Sequence, residues 1–127
     1  MNDKDSLFTL CRQVYDATGW DDTRDYYHEK DSFNFDTRSF GRNGEWTVVE
    51  RRRAPYDIPL YTSDYLLEKL PATVKNDFDG GNDYIILYKK EKSWYADYMG
   101  QFKRQKSDTP LKALLKLTLK LHKEELL

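Results

Sequence analysis

The sequence has few of the residues from which chemical sites are built. Its 127 residues include one cysteine, two histidines and six glycines. It contains no glycine-rich phosphate loop, no Cys/His cluster at metal-ligand spacing and no serine nucleophile elbow. His28 is a possible general base, but no nucleophilic residue accompanies it at the spacing of a known catalytic motif. His122 falls on a leucine-rich helix. We therefore predict that the protein is not an enzyme and has no catalytic residue, no cofactor and no metal site.

The only cysteine, Cys11, excludes a disulfide within the chain and indicates a reducing compartment. Its position on the apolar face of a helix predicts a buried, inert thiol. No apolar stretch approaches the length of a membrane span, and no secretory apolar segment follows the acidic N-terminus. We expect a cytoplasmic protein that does not enter a membrane.

A large net charge is also missing, since 21 basic residues face 22 acidic ones. The distribution is uneven, because residues 1–40 hold nine acids against five bases and residues 88–123 hold ten bases against three acids. Basic residues that can contact phosphates give an alternative in which the chain binds nucleic acid. These residues are Arg51, Arg52, Arg53, Lys103, Arg104, Lys106, Lys112, Lys116, Lys120 and Lys123. A run of three arginines is more often a solvated strand end, and lysines opposite a leucine face are ordinarily the solvated side of a surface helix.

Aromatic residues, in contrast, are abundant. Ten Tyr, six Phe and three Trp make 15% of the chain, whereas disordered chains are depleted in such residues. Together with the length, this predicts one folded domain over residues 1–127. Tyr, Trp and Arg are the residues that anchor protein interfaces. The aromatic surplus therefore favours a small protein-interaction module with a protein partner whose identity the sequence does not give.

Three segments have the apolar periodicity of helices. Residues 6–18 and 63–70 each place apolar side chains on one face. Residues 110–127 are rich in leucine, and part of the segment alternates as a strand would. Its length, a cap from Thr109 and Pro110 at the first helical position favour a helix.

Two further segments predict hairpins. Residues 84–90 and 94–99 are strand candidates joined by a polar turn. Residues 40–50 offer another hairpin, because Asn43-Gly44 is the favoured pair for a two-residue turn.

The connections between these elements carry acidic residues that invite a metal site. Residues 21–39 match no known ligand spacing and are expected to be a solvated, partly irregular connection whose aromatic residues attach to the core. Residues 54–60 contain two prolines and are expected to be an extended linker. Residues 77–88 begin like a calcium loop, but Asn82 and Tyr88 occupy the places of the required Gly and Glu. We therefore expect a turn there.

The elements combine into one α+β domain with the order α-β-β-α-β-β-α. We expect both hairpins to join one antiparallel sheet, with the N- and C-terminal helices packed on one face. The opposite face then decides how the chain is used. A bare face rich in Tyr would be a binding surface, whereas a covered face would indicate a homodimer.

Three segments resemble small uncharacterised proteins found in phages, prophages and mobile elements. They are residues 10–20 (LCRQVYDATGW), 61–71 (YTSDYLLEKLP) and 108–114 (DTPLKAL). These segments hold helix caps, helix ends and core leucines of the two outer helices and the middle one. The resemblance implies a phage-associated protein and implies no activity, because that family has none assigned.

Overall fold

The computed structural model describes residues 6–75, 80–98 and 104–127. The α+β class and the predicted order of three helices separated by strands are confirmed within these residues. The elements in chain order are α1 (Leu7–Thr18), β1 (Asp25–Asn34), β2 (Ser39–Glu50), β3 (Ile58–Leu60), α2 (Ser63–Lys69), β4 (Thr73–Lys75), β5 (Asn82–Lys90), β6 (Ser93–Tyr98), β7 (Gln105–Ser107) and α3 (Pro110–Lys123). Residues 77–79 of the calcium-like segment and Met99 of the predicted strand lie outside the described residues.

The strands form two antiparallel sheets rather than the single sheet that was expected. The first has the order β2-β1-β3 and the second the order β4-β5-β6-β7. The expectation of a solvated, partly irregular connection over residues 21–39 was wrong for residues 25–34, because they form β1, the central strand of the first sheet. Successive residues of β1 are both covered: Tyr26 lies under the Arg52 guanidinium and Tyr27 packs against Phe8 of α1. Burial on both faces removes the alternation that marks a half-buried strand.

Asn43-Gly44 forms a bulge inside β2, so the predicted two-residue hairpin turn at this pair was wrong. The strands β1 and β2 are joined instead by a turn at residues 35–38, in which Arg38 has a φ of 52°. The pairing register shifts after Glu29, and Gly44 has a φ of 79°. A glycine with positive φ serves a bulge as well as a turn, so the local signal had two solutions.

The helices begin where their capping residues predict. The hydroxyl oxygens of Ser6, Thr62 and Thr109 each accept a hydrogen bond from the amide three residues later. Pro110 occupies the first turn of α3, and Gly19 ends α1 with a φ of 71°. Local sequence thus determines where the helices begin, because capping acts within a few residues.

One hydrophobic core lies between the helices and both sheets. α1 packs on α3 and β3, whereas α3 also packs on α2, β6 and β7. The fully buried side chains of α1 and α3 are Cys11, Val14, Ala113, Leu114, Leu115, Leu117, Thr118 and Leu121. The two outer helices therefore share one core, which keeps the first sheet and the second sheet in one body.

Candidate functional site

The first hairpin continues beyond the core as a two-stranded ribbon. From residue 30 to residue 45, every side chain that the structure describes is exposed. β3 pairs with β1 only at Asp25, Tyr26 and Tyr27. Among the described residues, the rest of that edge of β1 and the whole outer edge of β2 have no neighbouring strand. We call residues 30–45 the arm.

Three phenylalanines form a cluster at the end of the arm. Phe33 lies opposite Phe40 in the strand ladder, with 5.1 Å between their ring centroids. Phe35, in the turn, makes an edge-to-face contact with Phe33 at 4.9 Å. Phe33, Phe35 and Phe40 are 40%, 83% and 75% exposed. A contiguous cluster of solvent-exposed aromatic rings is unusual on the surfaces of monomeric proteins, whereas singly scattered exposed apolar residues are common.

Side chains at the base of the arm hold it in place. The Glu29 carboxylate accepts a hydrogen bond of 2.6 Å from the amide of Gly44 in the bulge. The Arg42 guanidinium lies 3.7 Å from the same carboxylate and 4.4 Å above the ring centre of Tyr56. Tyr56 belongs to the loop that follows β2. The arm is therefore a braced ribbon rather than a free loop.

A buried carboxylate organises that loop. Asp57 is fully buried, and it accepts hydrogen bonds from the amides of Arg53 at 2.7 Å and Ala54 at 3.0 Å. His28 of β1 contacts its other oxygen through Nδ1 at 2.7 Å and stacks on Tyr56. Because an ionised carboxylate can only accept, Nδ1 of His28 carries the proton.

The protonation of Asp57 follows from these contacts. Burial raises the pKa of the Asp57 carboxyl. Hydrogen bonds from the Arg53 amide, the His28 side chain and the Ala54 amide lower the pKa by more than burial raises it, so the net pKa lies below its ordinary value. A histidine with an orienting carboxylate has the composition of a catalytic base. Here the same carboxylate also closes a backbone turn, so the pair clamps the loop to β1.

The three consecutive arginines occupy different environments. Arg51 and Arg53 are exposed, and Arg51 has a φ of 66°. Arg52 turns inward and donates hydrogen bonds of 3.0 Å to the backbone carbonyls of Pro55 and Asp57. Its guanidinium is thus committed to the loop, which sequence spacing alone did not indicate.

The predicted lysine face of α3 is largely engaged with the protein itself. Lys112 lies 3.4 Å from Asp108, Lys120 lies 3.6 Å from Glu124, and Lys116 donates a 3.0 Å hydrogen bond to the backbone carbonyl of a β7 residue. Lys123 is exposed. The remaining candidates are Lys106, which is exposed on β7, Arg104, which is exposed just before it, and Lys103, which lies outside the described residues.

The face of the second sheet opposite α3 carries part of the Tyr surplus. Tyr88 and Tyr95 are half-buried and stack on each other with centroids 5.2 Å apart. The Arg104 guanidinium lies 5.2 Å from the Tyr95 ring centre, and Tyr84 is 62% exposed. Among the described residues, Arg104 thus brings one of the predicted basic residues into contact with the stacked aromatic rings of the sheet.

A groove of about 490 Å³ lies where the three helices end. Trp20, Pro71 and Leu126 give it an apolar wall, and His122 and Lys69 add polar groups. No group of three or more His, Cys, Asp or Glu side chains in residues 6–75, 80–98 and 104–127 is arranged to hold a metal ion. The groove thus has a mixed apolar and polar lining.

The arm is the surface that sequence reasoning missed. The signal was present, since Phe33 and Phe35 alternate with polar residues and a turn-forming Asp36-Thr37 follows. The Asn43-Gly44 signal outweighed it.

Comparison of the chain with family models, curated proteins and solved structures found no match. The resemblance to phage proteins therefore stays a prediction.

Of the three described helices, α3 is the longest, with 14 residues. In the described parts of the chain, none of the three combines the length and the apolar character that crossing a bilayer requires.

Proposed function

We propose that the chain is a non-catalytic protein-interaction module whose contact element is the arm. The observation that carries the proposal is the exposure of Phe35 and Phe40, at 83% and 75%, in one cluster with Phe33. Contiguous exposed apolar surface marks contact sites, and buried aromatic anchors supply most of the energy of protein interfaces.

The free energy of burying the exposed phenylalanines is large enough for such a contact. Removing an exposed phenylalanine from water contributes about 1.5–3 kcal/mol. Association also costs the ordering of loops and side chains. The contacts among Glu29, Gly44, Arg42 and Tyr56 hold the arm before a partner arrives. That prior order lowers the ordering cost and leaves more of the apolar contribution for affinity.

The charge of the arm favours a protein over nucleic acid. The arm carries three basic residues, Lys30, Arg38 and Arg42, and three acidic residues, so its net charge is zero. Nucleic acid binding depends on an excess of cations against phosphates. The alternative of a nucleic-acid protein has narrower support, namely Arg104 and Lys106 beside the Tyr88–Tyr95 stack.

Three further parts of the proposal rest on separate observations. The use of His28 and Asp57 as a loop clamp supports a non-catalytic role. Burial raises the pKa of the Cys11 thiol to about 11, which supports an inert cysteine. The presence of one cysteine, which cannot form a disulfide within the chain, supports a reducing cytoplasm. Association with phages is supported by the resemblance of residues 10–20, 61–71 and 108–114.

A photo-crosslinking amino acid at position 35 tests the contact element. We expect light-dependent protein adducts when the full chain carries the crosslinker in place of Phe35 in cells. The matched control replaces Leu67 of α2, another exposed apolar residue at 40% exposure. It should give no adduct, because Leu67 lies outside the Phe cluster.

Absence of any adduct from position 35, or equal adducts from positions 35 and 67, would overturn the proposal. Retention of the wild-type chain on DNA or RNA, weakening steeply with salt, would favour the alternative. In that case, replacing Arg104 should reduce retention and replacing Phe35 should not.

A further inference from the structure

We infer that the arm binds a second copy of this chain, with the outer edges of the two β2 strands pairing antiparallel about a two-fold axis. This inference rests on the proposed function, because it names the partner of the same contact element. The pairing would extend the first sheet from three strands to six. Four features of β2 support it.

The first feature is an open edge. β2 is 12 residues long and stands at the end of the order β2-β1-β3. Among the described residues, no strand pairs with the outer edge of β2. Proteins usually shorten, charge or cover such edges, because an edge strand is a template for another strand. The bulge at residues 43–45 interrupts this edge, and the exposed segment before the bulge bears Phe40, which is suited to being covered.

The second feature is an apolar residue at each end of the same edge. Phe40, near the start of β2, is 75% exposed, and Val48, near its end, is 53% exposed. Phe40 pairs with Phe33 and Val48 pairs with Tyr27. Tyr27 and Phe33 lie six positions apart along β1, an even step, so they point to the same face. Phe40 and Val48 therefore also share a face.

A two-fold axis at Gly44 brings these ends together. Phe40 and Val48 lie equally far from Gly44 along the strand. In an antiparallel ladder centred there, Phe40 of each chain stands directly opposite Val48 of the other, and an axis perpendicular to the sheet keeps both on one face. An isologous interface requires this reciprocity, in which each end of the patch complements the other.

The third feature is the residue on the axis. The bulge at residues 43–45 divides the edge of β2 into two short segments, each of which can pair with the opposite segment of the second copy. Gly44 has no side chain, and nothing lies within 4 Å of the place of its Cβ. Two bulged segments can therefore approach each other at the axis.

The fourth feature is charge. The arm is neutral, so two arms do not repel. The same ladder brings Arg38 of one chain towards Glu50 of the other. Glu50 is exposed and already receives a hydrogen bond of 2.6 Å from Arg24, so it can accept a second cation on its free side.

The surface area that the two copies would bury predicts a modest affinity for dimer formation. With roughly 200 Å² for an aromatic side chain, the exposed part of Phe40, the phenylalanine on β2, supplies about 150 Å² per chain and about 300 Å² for the pair. Stable interfaces bury about 1,200–2,000 Å² in total. The strand edges and Val48 must supply the rest, so we expect a dimer that depends on concentration.

Cysteine crosslinking tests the register. Opposed Cα atoms in an antiparallel ladder lie roughly 4.5–5.5 Å apart, which a disulfide can span. We expect the double variant Phe40→Cys/Val48→Cys to form a disulfide-linked dimer under mild oxidation. Each single variant should stay unlinked, because equivalent positions lie far from the axis. Native Cys11 is fully buried and does not interfere.

Sedimentation of the full chain gives an independent readout. The wild type should show a concentration-dependent species of twice the 15.2 kDa chain mass. Phe40→Asp and Val48→Asp should each abolish it, since symmetry makes every substitution count twice. Leu67→Asp, outside the arm, should leave it intact. If an Asp variant fails to fold by circular dichroism, the cysteine pair decides.

The outcomes separate this inference from the proposed function. An adduct between position 35 and a second copy, together with the disulfide-linked dimer, supports both. A wild type that stays monomeric and an unlinked double variant overturn the inference. If position 35 then still crosslinks to a different protein, the proposed function stands with another partner. If it crosslinks to no protein, both fail.

Discussion

Neighbouring residues of one type have different roles in this protein. Arg51 and Arg53 face solvent, whereas Arg52 donates to two backbone carbonyls and lies 4.9 Å from the Tyr26 ring centre. A run of arginines in a sequence indicates a basic surface, but only the path of the loop decides which guanidinium stays free. Replacing Arg52 therefore removes packing and hydrogen bonds as well as charge.

Asp57 gives a prediction for stability. Asp57→Asn should lower the free energy of unfolding by about 1–3 kcal/mol, because the amide cannot accept all of the hydrogen bonds that the buried carboxylate accepts. Urea unfolding at neutral pH measures this loss. Asp16→Asn, at an exposed position of α1, is the matched control and should change stability little. An Asp57→Asn variant as stable as the wild type would contradict the clamp.

The same carboxylate predicts an acid dependence. Its pKa is lower in the folded chain than in the unfolded chain. Its contribution to stability is therefore complete above the unfolded value, about 3.9, and is lost as pH falls through the folded pKa. Unfolding free energies measured between neutral and acidic pH should fall less for Asp57→Asn than for the wild type. Asp22 and Asp108, whose pKa values are also lowered, should leave a residual slope in both.

At the scale of elements, β2 illustrates how one local signal fits two structures. Asn43-Gly44 favours positive φ at the glycine, which both a hairpin turn and a bulge can use. Glu29 of β1 accepts the Gly44 amide and thereby supports the bulge. The choice depends on the partner strand, which lies outside the window of a local pattern.

Gly44→Ala tests the bulge. Nothing lies within 4 Å of the added Cβ, so its cost comes from the φ of 79° alone. We expect about 1–2 kcal/mol of local destabilisation, and amide hydrogen exchange in the arm should accelerate about 5- to 30-fold. Gly41→Ala has equal space and no positive φ, and it should leave exchange nearly unchanged. Similar exchange in both variants would show that the bulge carries no conformational restraint.

At the scale of the molecule, α3 joins the parts of the fold. One side of the helix is buried against α1, α2 and the second sheet. Leu117 is fully buried, whereas Leu119, two residues on, is half-buried. The two residues have the same side chain but different losses of surface on folding.

Leu117→Ala should therefore destabilise the whole fold. The expected loss is about 2–5 kcal/mol, a large part of the 5–15 kcal/mol typical of a domain. Leu119→Ala, the matched control, should cost clearly less. Urea titration followed by circular dichroism measures both. Equal losses would mean that Leu117 does not occupy the centre of the core.

The sequence by itself determined the helices and most of the core. Caps at Ser6, Thr62 and Thr109 and the leucine spacing of α3 act within one or two turns, so a local pattern contains them. Composition likewise indicated one aromatic-rich domain. These features depend on short-range sterics, backbone hydrogen bonds and solvation, which neighbouring residues largely decide.

Only the tertiary structure decided the sheets and the arm. β1 is the central strand of the first sheet because Tyr26 and Tyr27 are covered from opposite sides. β2 is bulged where the Glu29 carboxylate accepts a hydrogen bond from the Gly44 amide. Which phenylalanines stay exposed depends on where the core ends relative to the hairpin. These outcomes are sums of contacts between segments distant in sequence, so no local window contains them.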